Sequence, residues 1–236
     1  MDAQLYVKQL RAGRDFGQHD AMAGGMANFV YLVGDRAAGE CLVVDPAWDV
    51  AGILAAASAD DMRITGALAT HYHPDHVGGP MFGHSVEGLA QLMELSPCKV
   101  HVHKIEAAGV KMLTGLSDSD LVKHDGGDRV AVGGLDVQLL HTPGHTPGSI
   151  CFRCGDVLIA GDTLFLQGCG RVDLPGGDSD EMWRTLSQRL STIADHVMLY
   201  PGHDYGDRPH ASMGDVRRDN MTLRIPDLPT WRRFMG

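Results

Sequence analysis

Apolar and polar positions along the chain follow two periods, and together they predict strands interleaved with helices. Period-two or continuously apolar runs at Leu5–Leu10, Asn28–Val33, Cys41–Val44, Ile64–Ala69 and Val100–Val102 are expected to be strands. The Gly34–Gly39 turn pairs the second and third as a hairpin. The Ala-rich stretch Asp49–Ala59 places Val50, Ile53, Leu54 and Ala57 on one helical face, and Val86–Leu95 and Ile105–Leu113 predict two further helices. Gly13–Gly25 shows neither period and is expected to be a loop long enough to act as a flap.

The second half repeats this character. Strands are expected at Val130–Val132 and Val137–His141, a hairpin at Ser149–Phe152 and Val157–Ala160, and a last strand at Val197–Tyr200. Asp180–Ile193 predicts a helix with Met182, Leu186, Leu190 and Ile193 on its inner face, and a polar helix is expected near Met213–Leu223. No linker, repeat or low-complexity tract interrupts residues 1–236, so one domain is expected. Two halves of similar make-up suggest an α/β sandwich of two sheets with helices outside.

Composition narrows the function classes. Hydrophobic residues make up 44% and charged residues 21% of the 236, which excludes a disordered chain. No apolar run approaches the ~20 residues of a membrane span. Met1–Gln4 resembles no secretory leader, so a cytoplasmic location is expected. The formal charge of −10 argues against a nucleic-acid partner. The five cysteines are too few and too odd in number for a disulfide framework. Cys151 and Cys154 form a C-x-x-C, but it lies in a strand-like run with no second pair, so both are expected to pack.

The 13 histidines change the picture. Thr70-His71-Tyr72-His73-Pro74-Asp75-His76 follows an apolar strand and delivers three imidazoles and a carboxylate within six residues. His71 and His73, two apart at a strand end, project to one side and can grip one cation. Asp75 and His76, past the Pro74 turn, can face a neighbouring one. Thr142-Pro-Gly-His145, Gly161-Asp162-Thr163 and Pro201-Gly-His203 each place one more ligand-type side chain after a strand end. Together they supply five imidazoles and two carboxylates, a set suited to zinc, iron or manganese and not to calcium or magnesium. His101 and His103 alternate on a strand, but no carboxylate or cysteine completes a site there.

The set T-H-x-H-x-D-H, T-P-G-H, G-D-T and P-G-H resembles the metallo-β-lactamase superfamily, from Asn28 to about Asn220. The resemblance implies a four-layer αβ/βα sandwich with two divalent metal ions at one edge of the sheets. It implies that His71, His73 and His145 hold one metal, that Asp75, His76 and His203 hold the second, and that Asp162 bridges both. Asp75 and Asp162 would then also be catalytic.

Gly161–Arg171 is similar to glyoxalase II, a thioesterase of hydroxyacyl-glutathione, and to the related persulfide dioxygenases. By that resemblance Arg171 and Tyr205 would contact an anionic small-molecule substrate such as a glutathione thioester. Two features depart from glyoxalase II. About thirty residues follow His203, too few for its C-terminal helical domain, and the interval from His76 to His145 is long. The apolar Met81–Leu95 segment in that interval could wall the pocket or simply pack.

Bound water acidified from a pKa of ~15.7 toward ~7 would attack the carbonyl, with no serine nucleophile required. The leading expectation is a metal-dependent hydrolase of a thioester or similar bond, with zinc the expected metal. The alternatives are an iron-dependent persulfide dioxygenase, which in its family binds one iron through the positions of His71, His145 and Asp162, and a lactonase or β-lactamase.

Overall fold

The central strands of the chain are buried on both faces, so each must be covered twice. The computed structural model, which describes residues 4–235, contains β1 (Leu5–Arg11), β2 (Phe29–Asp35), β3 (Glu40–Val44), β4 (Arg63–Leu68), β5 (Gly79–Met81), β6 (His84–Val86), β7 (Lys99–His103) and β8 (Leu121–His124) in its first half. The second half adds β9 (Arg129–Val132), β10 (Leu135–His141), β11 (Ile150–Cys154), β12 (Val157–Gly161), β13 (Met198–Pro201) and β14 (Ala211–Ser212). One sheet has the order β1-β2-β3-β4-β7-β8 and the other β14-β13-β12-β11-β10-β9, while β5 and β6 form a separate hairpin. The β3–β4, β4–β7, β7–β8 and β12–β13 pairs are parallel, and parallel neighbours need crossover connections. The Val50–Ser58 helix is one such crossover, capped by the Asp49 carboxylate accepting from the Gly52 N–H.

Alternation on the strands divides the apolar residues into three layers. On β2, Phe29, Tyr31 and Val33 face the space between the sheets, while Val30 and Leu32 face the Val50–Ser58 helix side with Ile53. On β12, Val157 and Ile159 face the intersheet core, and Leu158 and Ala160 face the helices on the far side with Met182, Leu186 and Trp231. Three apolar layers require four layers of secondary structure, the expected αβ/βα sandwich. Cys151 faces the outer layer and Cys154 the intersheet layer, so the C-x-x-C side chains point to opposite faces of β11, consistent with packing. No helix among the described residues is long and apolar enough to cross a membrane.

Several elements differ from expectation. The predicted Val86–Leu95 helix begins only at Leu89, and the β5–β6 hairpin precedes it. Gly88 decides this boundary: a Cβ there would lie 2.3 Å from the Val77 carbonyl oxygen, so backbone passes where a helical side chain would stand. The Asp180–Ile193 helix is three pieces, an α-helix Ser179–Arg184, a π turn Thr185–Arg189 and a 3-10 turn Leu190–Thr192. Leu186, Leu190 and Ile193 are nonetheless buried together, so the apolar face was read correctly and the winding was not. The polar helix stops at Asp219, where the buried Asn220 side chain turns to donate to the Phe165 and Gly168 carbonyls. Gly13–Gly25 is not an open flap. Phe16 and Ala23 are buried within it, and Asp20 caps a helix at Ala21–Met26 by accepting from the Met22 and Ala23 N–H groups. A helix at Leu228–Met235, anchored by buried Trp231, and the strands β8 and β14 were not anticipated.

Candidate metal centre

The two sheets are stitched together at one edge, and all four histidine/aspartate segments end there. The Ile150 N–H donates to the Thr70 carbonyl at 2.9 Å and the Phe29 N–H to the Gly202 carbonyl at 2.8 Å, each crossing from one sheet to the other. Glycines make this approach possible: a Cβ on Gly202 would lie 2.4 Å from Asp162 Oδ1, and one on Gly161, at φ +49°, 2.6 Å from Thr70 Oγ1.

The structure brings all seven residues together. His73 Nδ1 lies 3.1 Å from His71 Nε2 and 3.0 Å from His145 Nε2. In a second group, His76 Nε2 and His203 Nε2 are 3.3 Å apart. Each of these two nitrogens is 3.4 Å from Asp75 Oδ2 and 3.3 Å from Asp162 Oδ1. Asp162 Oδ2 faces the first group, 3.7 Å from His145 Nε2. Ligands at ~2.0–2.1 Å around a tetrahedral cation are about 3.3 Å apart. The donor spacings match that value in the second group and fall slightly inside it in the first. Asp162 Oδ1 is buried and makes no hydrogen bond of good geometry among the described residues, so its lone pairs await a partner.

Outer contacts select the ring nitrogen each histidine offers. His145 Nδ1 donates to the Arg171 carbonyl at 2.7 Å and His203 Nδ1 to the Met26 carbonyl at 2.8 Å, leaving both Nε2 lone pairs facing inward. His76 Nδ1 meets Asp45 Oδ2 at 2.8 Å. Thr70 Oγ1 donates to the same carboxylate oxygen and lies 3.0 Å from His71 Nδ1. On the other flank the Trp48 indole N–H donates to Asn28 Oδ1, and Asn28 Nδ2 donates to Asp75 Oδ2, each at 3.0 Å. Asp45, Asn28 and Trp48 were not singled out in the sequence, and Thr70 entered only as the first residue of the histidine motif. Asp45 carried one faint signal, an aspartate-proline break ending an apolar strand, and it sits at φ +52°.

The electrostatics divide the groups. Burial, then the neighbouring His76 and His145, hold His71 well below the usual imidazole range, and burial with His145 and His76 brings His73 to about 4. Both are therefore neutral lone-pair donors at physiological pH. Burial also disfavours charge on His76, but Asp75 and Asp162 outweigh it and hold that ring well above its usual value. The two carboxylates are held low, burial being outweighed by His76 and His203. The chemistry of this donor set, nitrogen and carboxylate only, fits a dinuclear site for borderline divalent metals.

A cavity of about 690 Å³ opens over the centre, walled by Met26, Met81, Phe82, Phe165, Leu174 and Pro175, with Arg171 and Tyr205 also lining it. The Tyr205 ring stacks on His203 at 4.7 Å and meets Phe165 edge-on at 5.5 Å. Burial, then Asp162, pushes its phenol up to about 12, so it remains a hydrogen-bond donor. The Arg171 side chain is exposed and bonds Asp173 through Nε at 2.9 Å and Nη2 at 2.7 Å. Its backbone carbonyl, not its charge, touches the histidine cluster. His19 and His84 are exposed and line no part of the cavity. His101 stacks on His124, and His103 on His141, away from the centre.

Residues 23–224 match the family model described as the metallo-beta-lactamase superfamily. A hydroxyacylglutathione hydrolase of Rhodospirillum rubrum is 36% identical over 223 residues, 89% of this chain and 78% of that protein. A protein named probable polyketide biosynthesis zinc-dependent hydrolase BaeB, from Bacillus velezensis, is 28% identical over 84% of this chain and 83% of its own length. The crystal structure of ETHE1 from Myxococcus xanthus superposes with a TM-score of 0.78 at 28% identity, covering 98% of this chain and 89% of that one. With both sheets, the edge site and the matched residues in agreement, the chain belongs to the metallo-beta-lactamase superfamily.

Proposed function

We propose that this protein is a dinuclear metal hydrolase acting on thioesters. In this reading His71, His73 and His145 would hold one cation, Asp75, His76 and His203 would hold the other, and Asp162 would contribute to both. The observation that carries it is the completeness of the second donor group, in which His76 Nε2 and His203 Nε2 each lie 3.3–3.4 Å from one another and from Asp75 Oδ2 and Asp162 Oδ1. Imidazole and carboxylate donors at tetrahedral spacing favour zinc.

Divalent cations held by these residues would supply Lewis acidity toward a water and a carbonyl oxygen. The chain's own residues do the rest. Asp75 and Asp162 stay ionised and accept the hydrogen bond that orients the attacking water. Water oxygen bonds to the acyl carbon, the carbon–sulfur bond breaks, and the products are a carboxylate, a thiol and one proton released to solvent. The apolar walls keep bulk water from the acyl group. The Tyr205 hydroxyl donates at the rim, and Arg171 offers a fork to an anionic thiol portion, such as that of glutathione, in exchange for Asp173.

The relatives named hydroxyacylglutathione hydrolase and zinc-dependent hydrolase support hydrolysis. Metal-free protein reloaded with zinc is expected to release thiol from a glutathione thioester without consuming oxygen. Absence of cleavage with zinc, iron and manganese, together with oxygen uptake on glutathione persulfide with iron, would establish the dioxygenase instead.

A further inference from the structure

The β5–β6 hairpin holds a conformation that its sequence resists. Met81 pairs with His84, leaving a two-residue turn of Phe82 and Gly83, and both have positive φ, +49° and +81°. Such turns favour asparagine followed by glycine, because a bulky side chain clashes with its own backbone in the left-handed region. Four other described non-glycine residues have positive φ: Ala27, Asp45, Trp48 and Asp61. Ala27, Asp45 and Trp48 are buried, and Asp61 is a short polar residue in an exposed turn. Phe82 alone among them is large, apolar and open to solvent, at 85% exposure. The strain therefore returns nothing to folding. What the side chain does face is the cavity over the metal centre.

We propose that Phe82 is a specificity-determining residue whose ring forms the outer contact for an apolar acyl chain running from the metal centre past Met81. This rests on the thioesterase reading and deepens it, since it names the substrate class: acyl groups of six carbons or more, rather than short hydroxyacyl groups. The cavity favours such a chain. Met81, Leu174, Pro175 and Phe165 provide apolar surface, and the Arg171 guanidinium is already bonded to Asp173. Each methylene that passes from water onto this wall is worth at most about 0.8 kcal/mol, roughly a fourfold gain in affinity. The preference should grow with chain length until the chain passes the Phe82 ring.

The test compares wild type with Phe82→Asn and Phe82→Leu as zinc-loaded proteins. Phe82→Asn suits the turn, so its melting temperature should equal or exceed that of wild type. Its ratio of kcat/KM for octanoyl over acetyl thioester should fall roughly tenfold, while Phe82→Leu keeps most of the preference. Binding of octanoate against acetate, read by calorimetry, gives the same comparison without turnover. Weaker octanoate binding in Phe82→Asn supports the acyl wall even if no thioester is cleaved, an outcome that would overturn only the thioesterase reading. Thioester cleavage with equal chain-length ratios and equal octanoate affinity in wild type and Phe82→Asn would overturn the role of Phe82 alone. A lowered melting temperature with unchanged ratios would likewise make Phe82 a structural residue.

Discussion

Asp162 and Asp45 are both buried carboxylates near the same histidines, and their contacts assign them different work. Asp162 presents an unbonded oxygen between His76 and His203, whereas the two oxygens of Asp45 are taken up by the Thr70 N–H, the Thr70 hydroxyl and His76 Nδ1. Asp162→Ala is therefore expected to remove bound metal and abolish turnover, as measured by metal analysis after gel filtration. Asp45→Asn should retain metal but weaken it, by about 10–100-fold, because losing an outer carboxylate loosens the ring it orients. A competition titration with a chromophoric chelator distinguishes the two. Full metal content in Asp162→Ala would remove Asp162 from the centre.

At the scale of elements, a single side chain links the two loops that carry the first histidine group. Glu106, just before the Ala107–Thr114 helix, is buried and accepts from the Tyr72 N–H at 3.0 Å, the Thr146 hydroxyl at 3.0 Å and the Gly148 N–H at 2.7 Å. Tyr72 lies between His71 and His73, and Thr146 follows His145. Burial raises the Glu106 pKa against these three donors. Glu106→Gln keeps the shape but turns one acceptor into a donor, at a cost of about 1–3 kcal/mol. Its expected signature is unequal: one zinc equivalent weakens at least tenfold while the His76 and His203 group binds as before. Equal weakening of both equivalents would mean that Glu106 supports the fold at large rather than these two loops.

The whole molecule should also respond to pH through histidines remote from the centre. Burial, then His124, brings His101 to about 4, and burial, then His141, does the same for His103. The unfolded chain takes up these protons near pH 6.5, before the folded chain does, so stability rises with pH. The contribution is complete above about pH 6.5 and is lost as pH falls toward 4. Between pH 7 and pH 5, wild type should lose on the order of 1–2 kcal/mol more than His101→Gln. Urea unfolding with a chelator present measures this without a contribution from metal release. Parallel curves for the two proteins would show that His101 titrates normally when folded.

The seven candidate metal donors were legible in the sequence because local geometry delivers them: each lies in a segment that leaves a strand end, and four of them lie within six consecutive residues. The layered fold was legible for a similar reason, since a strand apolar on both faces needs cover on both. What tertiary structure alone decided were contacts between distant segments. Asp45 reaches His76 across 31 residues, Asn28 reaches Asp75 across 47, and Glu106 reaches Thr146 across 40. Nothing in the local sequence of a buried carboxylate or amide names its partner, because that partner is set by how two sheets meet. The π turn, the closed Gly13–Gly25 segment and the left-handed Phe82 have the same origin. In the first two, packing outweighed a local preference of the backbone, in the third the hairpin register did, and local preference is all that a pattern along the chain records.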